Sequence, residues 1–324
     1  MTLRYALFSV SLTVLVALFT TSCVKQTPNF PEKKPSKSIE TTLEIRQLNG
    51  VIQQIPLEQY VRGSLLAEAS FSGLDKKTKL RVAQVQAILA RTYALANRRR
   101  HIKEGFNLCA TTHCQVYRSL DSFSSEQIQL AHEAAETTSG LVVQFNKKTI
   151  NAVFHSDCGG HTSNAQVVWS GTSPPYLQGV LDKFCHRERT SKWRFKVDEP
   201  TLRQALNKNT KTETGKQLES LVVTNRDIAG RVIEIEINGY HLKTVRGEEL
   251  RAAIVKTFGT SSIKSTRFSV HRIGNNFVFE GQGFGHGVGL CQFGAMARAS
   301  AGHSPHKILS HYYPGTNIEK IWFN

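Results

Sequence analysis

Glu68 stands in Ser64-Leu-Leu-Ala-Glu-Ala-Ser70, among small and apolar residues, with no cation within three positions. Such surroundings disfavour a carboxylate's charged form, so the pKa rises and the group can hold a proton near neutral pH. A carboxylic acid in that state can protonate a glycosidic oxygen as a general acid. The plainer alternative is a glutamate at the exposed end of an amphipathic helix. A second constellation, Cys109-Ala-Thr-Thr-His113-Cys114, gathers two thiols and an imidazole in one short stretch. These make three corners of a tetrahedral zinc site, and His101 is the nearest histidine for the fourth. The rival is a Cys109–Cys114 disulfide closing a small loop. His155, Cys158 and His161, with Cys185-His186, are also metal-like in composition, whereas Cys291 reads as a small buried residue. With Cys23 set aside, Cys109, Cys114, Cys158, Cys185 and Cys291 remain, an odd number, so one of them has no intrachain disulfide partner.

The run Gly281-Gln-Gly-Phe-Gly-His-Gly-Val-Gly289 alternates glycines with larger residues and holds one histidine, His286. Glycines at this density weaken an ordinary strand. Neither G-x-G-x-x-G nor G-K-[ST] can be threaded through it, so no nucleotide cofactor is expected. Two readings stay open: a loop shaped for close approach to a ligand, or a tight crossing of two backbone segments.

The elements that must position these groups follow from periodicity. Leu43 to Ile55 predicts a strand pair turning at Asn49-Gly50. Pro56 opens a helix with Leu57, Tyr60, Val61, Ser64 and Leu65 along one stripe. Asp75 caps a second helix reaching about Asn97, and a third spans roughly Ser124 to Thr137. Leu141 to Phe154 reads as two short strands around Asn146-Lys147. Residues 186–270 are a less distinctive inner region, with a strand over Val232–Ile237, a turn at Asn238-Gly239 and a helix near Glu248–Phe258. Phe268 to Phe279 forms a hairpin leading into the glycine run, and Gln292 to Ala301 a short helix. Helices and hairpins cluster instead of alternating, so the fold class is α+β, with room for two lobes.

Charge and the N-terminus bound the setting. Arg4, the apolar stretch Tyr5–Phe19 and Thr20-Thr-Ser22 read as a signal peptide over 1–22. Cys23 directly after small residues suggests a lipidation site; simple cleavage and release is the alternative. Residues 24–41, rich in proline and lysine, read as a tether. The body, 42–324, is then exported, periplasmic or held in the cell envelope by a lipid anchor. Lys and Arg number 41 against 25 Asp and Glu. For an exported chain the acidic partners are anionic lipids and cell-wall carboxylates, not nucleic acid.

Four blocks, in order, resemble the SpoIID/LytB family of cell-wall proteins. They are Tyr60–Ala69, Ala83–Leu95, His155–Thr162 with Val168-Trp169 and Pro175–Leu177, and Gly283–Ala295 with Ile308–Ile318. The resemblance implies a SpoIID-like domain acting as a lytic transglycosylase on peptidoglycan glycan strands, with Glu68 as its single catalytic acid. It further implies strands stripped of stem peptides by an amidase, or else a non-catalytic role as glycan-binding activator of such an amidase. Arg91 and Tyr93 belong to a matched block and would orient substrate or the acid, or else anchor their helix to its neighbours. Gly285, His286, Gly287 and Gln292 would line the substrate path, with His286 donating to a sugar hydroxyl. Tyr312 and Tyr313 would stack on sugars, or serve as buried anchors. Some family members are thought to carry zinc near the Cys109–Cys114 segment. Phe71–Leu80 is longer than the family pattern.

Overall fold

Asn49-Gly50 turns the first hairpin as expected, with Gly50 at φ +85°, between β1 (Thr42–Arg46) and β2 (Ile52–Pro56). The computed structural model describes residues 41–169, 171–185 and 191–321. The signal peptide, Cys23 and almost all of the tether lie outside the described residues, as does His186. Ile39–Asn324 forms one unit.

Pro56 leads into α1 (Leu57–Glu68), whose buried stripe includes Leu57, Tyr60, Val61, Ser64 and Leu65. Asp75 caps α2 (Lys76–Asn97) by accepting the N–H bonds of Lys77 and Thr78, a cap that contributes about 1 kcal/mol. The long connection before it is closed by Phe71, which packs against two cores. α2 is buried on two sides. Val82, Val85, Ile88 and Leu89 face one core, while Ala83, Ala87, Ala90 and Ala94 let α1 and its neighbours approach on the other. β3 (Leu108–Cys109) then pairs parallel with β1. Ser124 and Gln127 form a capping box at α3 (Ser125–Thr137).

β4 (Leu141–Phe145) turns through Asn146 and Lys147, both at positive φ, into β5 (Lys148–Thr149). The second strand expected here is cut short, and the chain re-forms only as β6 (Phe154–His155). α4 (Ala165–Trp169) follows.

The inner region has a core of its own. It comprises β7 (Lys192–Asp198), α5 (Glu199–Leu206), β8 (Leu218–Arg226), β9 (Val232–Gly239), β10 (Leu242–Arg246), α6 (Gly247–Phe258), β11 (Phe268–Ile273) and β12 (Asn276–Gln282). Strands run β10-β9-β8 in one antiparallel sheet and β11-β12-β7 in another. Asn238-Gly239 is not the turn. It ends β9, and the chain reverses at Tyr240-His241. Gly239 is needed because a Cβ there would meet the Thr214 carbonyl oxygen at 2.6 Å.

The last segment returns to the first two cores. β13 (Leu290–Cys291) pairs parallel with β6, α7 (Gln292–Ser300) and α8 (Pro305–Tyr312) pack on α2, and β14 (Asn317–Lys320) closes on β4. The architecture is α+β, with mostly antiparallel small sheets around helices. No helix among the described residues is long and apolar enough to cross a membrane.

Candidate active site

Glu68 is the last residue of α1, and Ala69 leaves the helix in an extended conformation. No basic residue stands in that last turn, and the negative end of the helix dipole disfavours a carboxylate there. Burial raises the Glu68 pKa; one hydrogen bond, donated by the Val116 N–H to Oε1 at 2.6 Å, works against it. The net effect is upward. Glu68 does stand at the end of an amphipathic helix, but partly buried and not exposed.

Glu68 lines a cavity of about 140 Å³ whose walls come mainly from the end of α1, from α2 and from α7. Val82, Val85, Leu290, Phe293 and Met296 make it mainly apolar. Gln292, on α7, lines it too and donates Nε2 to the Glu68 carbonyl oxygen at 3.0 Å. Glu68 is the only carboxylate among the described lining residues. Gln86 also lines the cavity; it is buried, and its Nε2 has no hydrogen-bond partner. A buried donor left unpaired costs free energy, so Gln86 has an amide N–H free to serve a ligand in the cavity. The sequence reading passed over it; the signal was an amide on an otherwise small and apolar helix face.

Several expected substrate contacts are placed elsewhere. Arg91 is fully buried and forms a two-pronged ion pair with Glu58, at 2.6 and 2.7 Å, while Nη1 donates to the Leu141 carbonyl. Tyr93 is buried in the same core, its hydroxyl pushed up to about 12 by burial. Tyr312 and Tyr313 are wholly buried; their hydroxyls donate to Asp182 Oδ2 and to the Val153 carbonyl. All four anchor helices, because each has its polar end satisfied away from the cavity.

The glycine run is a backbone crossing. Phe284 and Asp157 exchange both backbone hydrogen bonds. Gly287, at φ +82°, lies where a Cβ would meet the Arg231 guanidinium at 2.3 Å, and the Gly285 carbonyl accepts from Arg231 Nη1. His286 is spent on the main chain: Nε2 donates to the Phe154 carbonyl and Nδ1 accepts from the Val288 N–H. Burial, then the Arg231 charge, hold its imidazole down at about 4. Gly285, His286 and Gly287 thus shape the loop that delivers Gln292, and do not themselves line the cavity.

The ligand atoms of His101, Cys109, His113 and Cys114 lie within 4.8 Å of one another. His101 Nε2–Cys114 Sγ and Cys109 Sγ–Cys114 Sγ are 3.3 Å, and the His113 Nδ1 distances to Cys109 and Cys114 are 3.6 and 3.7 Å. A tetrahedron of ordinary zinc–sulfur and zinc–nitrogen bonds has edges of about 3.3–3.8 Å. The sulfurs are too far apart for a disulfide, whose bond is about 2.05 Å, and both cysteines are free. His101 Nδ1 lies 2.5 Å from Glu104 Oε1, which leaves Nε2 as the ligand atom, an arrangement typical of metal-bound histidine. Burial pushes the Cys109 thiol up, but hydrogen bonds with Thr111, Cys114 and His113 outweigh it and bring it down to about 7. Four protein donors fill a tetrahedral site, so this donor set suits a structural ion and not a catalytic one. Val116, which holds Glu68, follows Cys114 after a single residue.

The other metal-like group regroups. His155 and His161 turn Nδ1 to backbone carbonyls, and Cys158 and Cys185 meet Cys291 and Asp182 instead.

Residues 46–145 match the family described as stage II sporulation protein, SpoIID. Stage II sporulation protein D of Bacillus subtilis (strain 168) is 27% identical over 85% of this chain and 78% of its own length. The family match and this relative support the SpoIID resemblance of this chain. Residues 183–289, the inner region, match a domain of unknown function. An uncharacterized protein of Brachyspira hyodysenteriae is 27% identical over 83% of this chain and 68% of its own length. The amidase enhancer of Bacillus subtilis is 28% identical over 74% of this chain and 38% of its own length.

Proposed function

We propose that this SpoIID-like chain, whose relatives support a cell-wall role, is a lytic transglycosylase that cuts peptidoglycan glycan strands. The observation that carries the reading is Glu68, the only carboxylate among the described residues that line a mainly apolar cavity, with its pKa raised by burial. Protonated Glu68 donates to the oxygen linking N-acetylmuramic acid to N-acetylglucosamine, and the bond from that oxygen to the muramoyl C1 breaks. The resulting carboxylate stabilises the oxocarbenium-like centre. It then takes the proton of the muramoyl C6 hydroxyl while that oxygen bonds to C1, closing a 1,6-anhydro ring and restoring the acid. One carboxyl suffices, which matches a cavity with no second one among its described walls. Gln86 Nε2 supplies a donor to the sugar.

Strands denuded by an amidase expose the lactyl carboxylate of each muramoyl residue, an anion suited to a chain of net charge +16. Structural zinc at His101, Cys109, His113 and Cys114 would pin the loop that presents the Val116 N–H to Glu68. The N-terminal sequence supports export and a lipid anchor at Cys23, at the periplasmic or cell-envelope face of a membrane.

The amidase-enhancer relative favours a second reading, a glycan-binding activator of a cell-wall amidase. Glu68→Gln separates the two. Its amide still accepts from Val116 but carries no acidic proton, so cleavage should fall by at least a hundredfold with strand binding kept. An activator would retain both binding and amidase stimulation, and cleavage would be absent from wild type as well.

A further inference from the structure

At the start of α7, three cysteines from distant parts of the chain converge with one aspartate. Cys158 follows β6, Asp182 and Cys185 lie just before the inner region, and Cys291 ends β13. Their ligand atoms all lie within 4.8 Å of one another, and all four residues are buried. Cys185 Sγ and Cys291 Sγ are 3.5 Å apart, and Cys158 Sγ is 3.7 Å from Asp182 Oδ2. Both are tetrahedral edge lengths for a zinc ion held by sulfur and oxygen, about 3.5–3.8 Å.

A second, independent observation concerns the backbone. Cys291 Sγ accepts the N–H bonds of Cys158, at 3.3 Å, and Gly294, at 3.4 Å; Cys158 Sγ accepts that of Gly160 at 3.3 Å. Thiols are weak acceptors, whereas a thiolate accepts strongly because its charge assists the bond. Gly159 and Gly160, both at positive φ, bend the chain back over the Cys158 sulfur. Asp182 is braced in turn: Tyr312 donates to Oδ2 at 2.6 Å, and Arg298 Nη2 lies 3.3 Å from Oδ1. Metal-bound carboxylates are held by such outer partners, and the Arg298 charge offsets part of a thiolate-rich site.

We propose that Cys158, Cys185, Cys291 and Asp182 form a second structural zinc site. Binding forms three Zn–S bonds and one Zn–O bond and releases three thiol protons to solvent; no redox partner is required. The ion joins three segments at the start of α7, and so fixes the helix that brings Gln292, Phe293 and Ala295 to the Glu68 cavity.

The test is elemental analysis of the full chain carrying Cys109→Ser and Cys114→Ser, which removes the other site. One zinc per folded chain is expected, and none once Cys158→Ser and Cys185→Ser are added. No zinc in the folded first variant, or a disulfide between Cys185 and Cys291 in peptide maps, overturns the proposal. Should the first variant not fold, the wild-type chain is measured instead. It is compared with Cys158→Ser/Cys185→Ser: one zinc fewer per folded chain is expected in that variant, and equal zinc contents overturn the proposal.

Discussion

Glu68 combines three influences that act on one proton. Burial and the end of α1 favour the neutral acid, and the Val116 N–H opposes them. A general acid must carry its proton in the free enzyme, so kcat/KM should fall as pH rises through the elevated Glu68 pKa. A pH–rate profile whose falling limb sits at an ordinary carboxylate value would contradict this. Arg91 makes the opposite case, a charged residue with a packing task. Arg91→Ala leaves Glu58 without its partner and should cost about 3 kcal/mol in urea denaturation, with KM of the folded enzyme unchanged. A raised KM at unchanged stability would return Arg91 to substrate binding. The apolar setting of Glu68 was legible locally, because its neighbours on α1 are small and apolar. Local sequence was not enough for Arg91, whose partner lies 33 positions away, nor for Tyr312 and Tyr313, since an aromatic residue serves a core and a sugar platform equally well. Gln86 was hidden for the same reason: only the packing of α7 against α2 turns its face into a cavity wall.

At the scale of elements, the loop from Cys109 to Val116 links the His101, Cys109, His113 and Cys114 donor set to the acid. Cys114→Ser should remove zinc from this loop, loosen the Val116 N–H and lower cleavage by up to about a hundredfold, as a small misplacement of a reacting group can. Losing that hydrogen bond takes away the one influence that lowers the Glu68 pKa, so the falling limb of the profile should also move to higher pH. Unchanged activity in a zinc-free variant would detach the loop from catalysis. Caps and turns were legible here: Asp75, the Ser124–Gln127 box and Asn49-Gly50 act through neighbours a few residues away. Gly239 was misread as a turn because its requirement comes from Thr214, a contact that only tertiary structure creates. The same holds for the glycine run, where the crowding atoms belong to Val153, His155, Asp157 and Arg231.

Across the whole molecule, α2 is the shared wall of two cores, and the inner region contributes a third. That region packs around its own sheets, and its Arg231 reaches into the glycine crossing, so it shapes the loop that carries Gln292 toward the acid. Its strands carry charged and polar residues on their exposed faces, and the pairings between them are long-range contacts that local pattern does not reveal. The basic balance of the chain favours strands that display carboxylates, and denuded glycan does so at every muramoyl residue. The most direct measurement is therefore mass spectrometry of products from glycan strands, denuded and peptide-bearing, incubated with the full chain. The account predicts fragments ending in 1,6-anhydro-muramoyl residues, faster from denuded strands and absent with Glu68→Gln. Fragments that have gained water, or intact strands that remain bound, would contradict it.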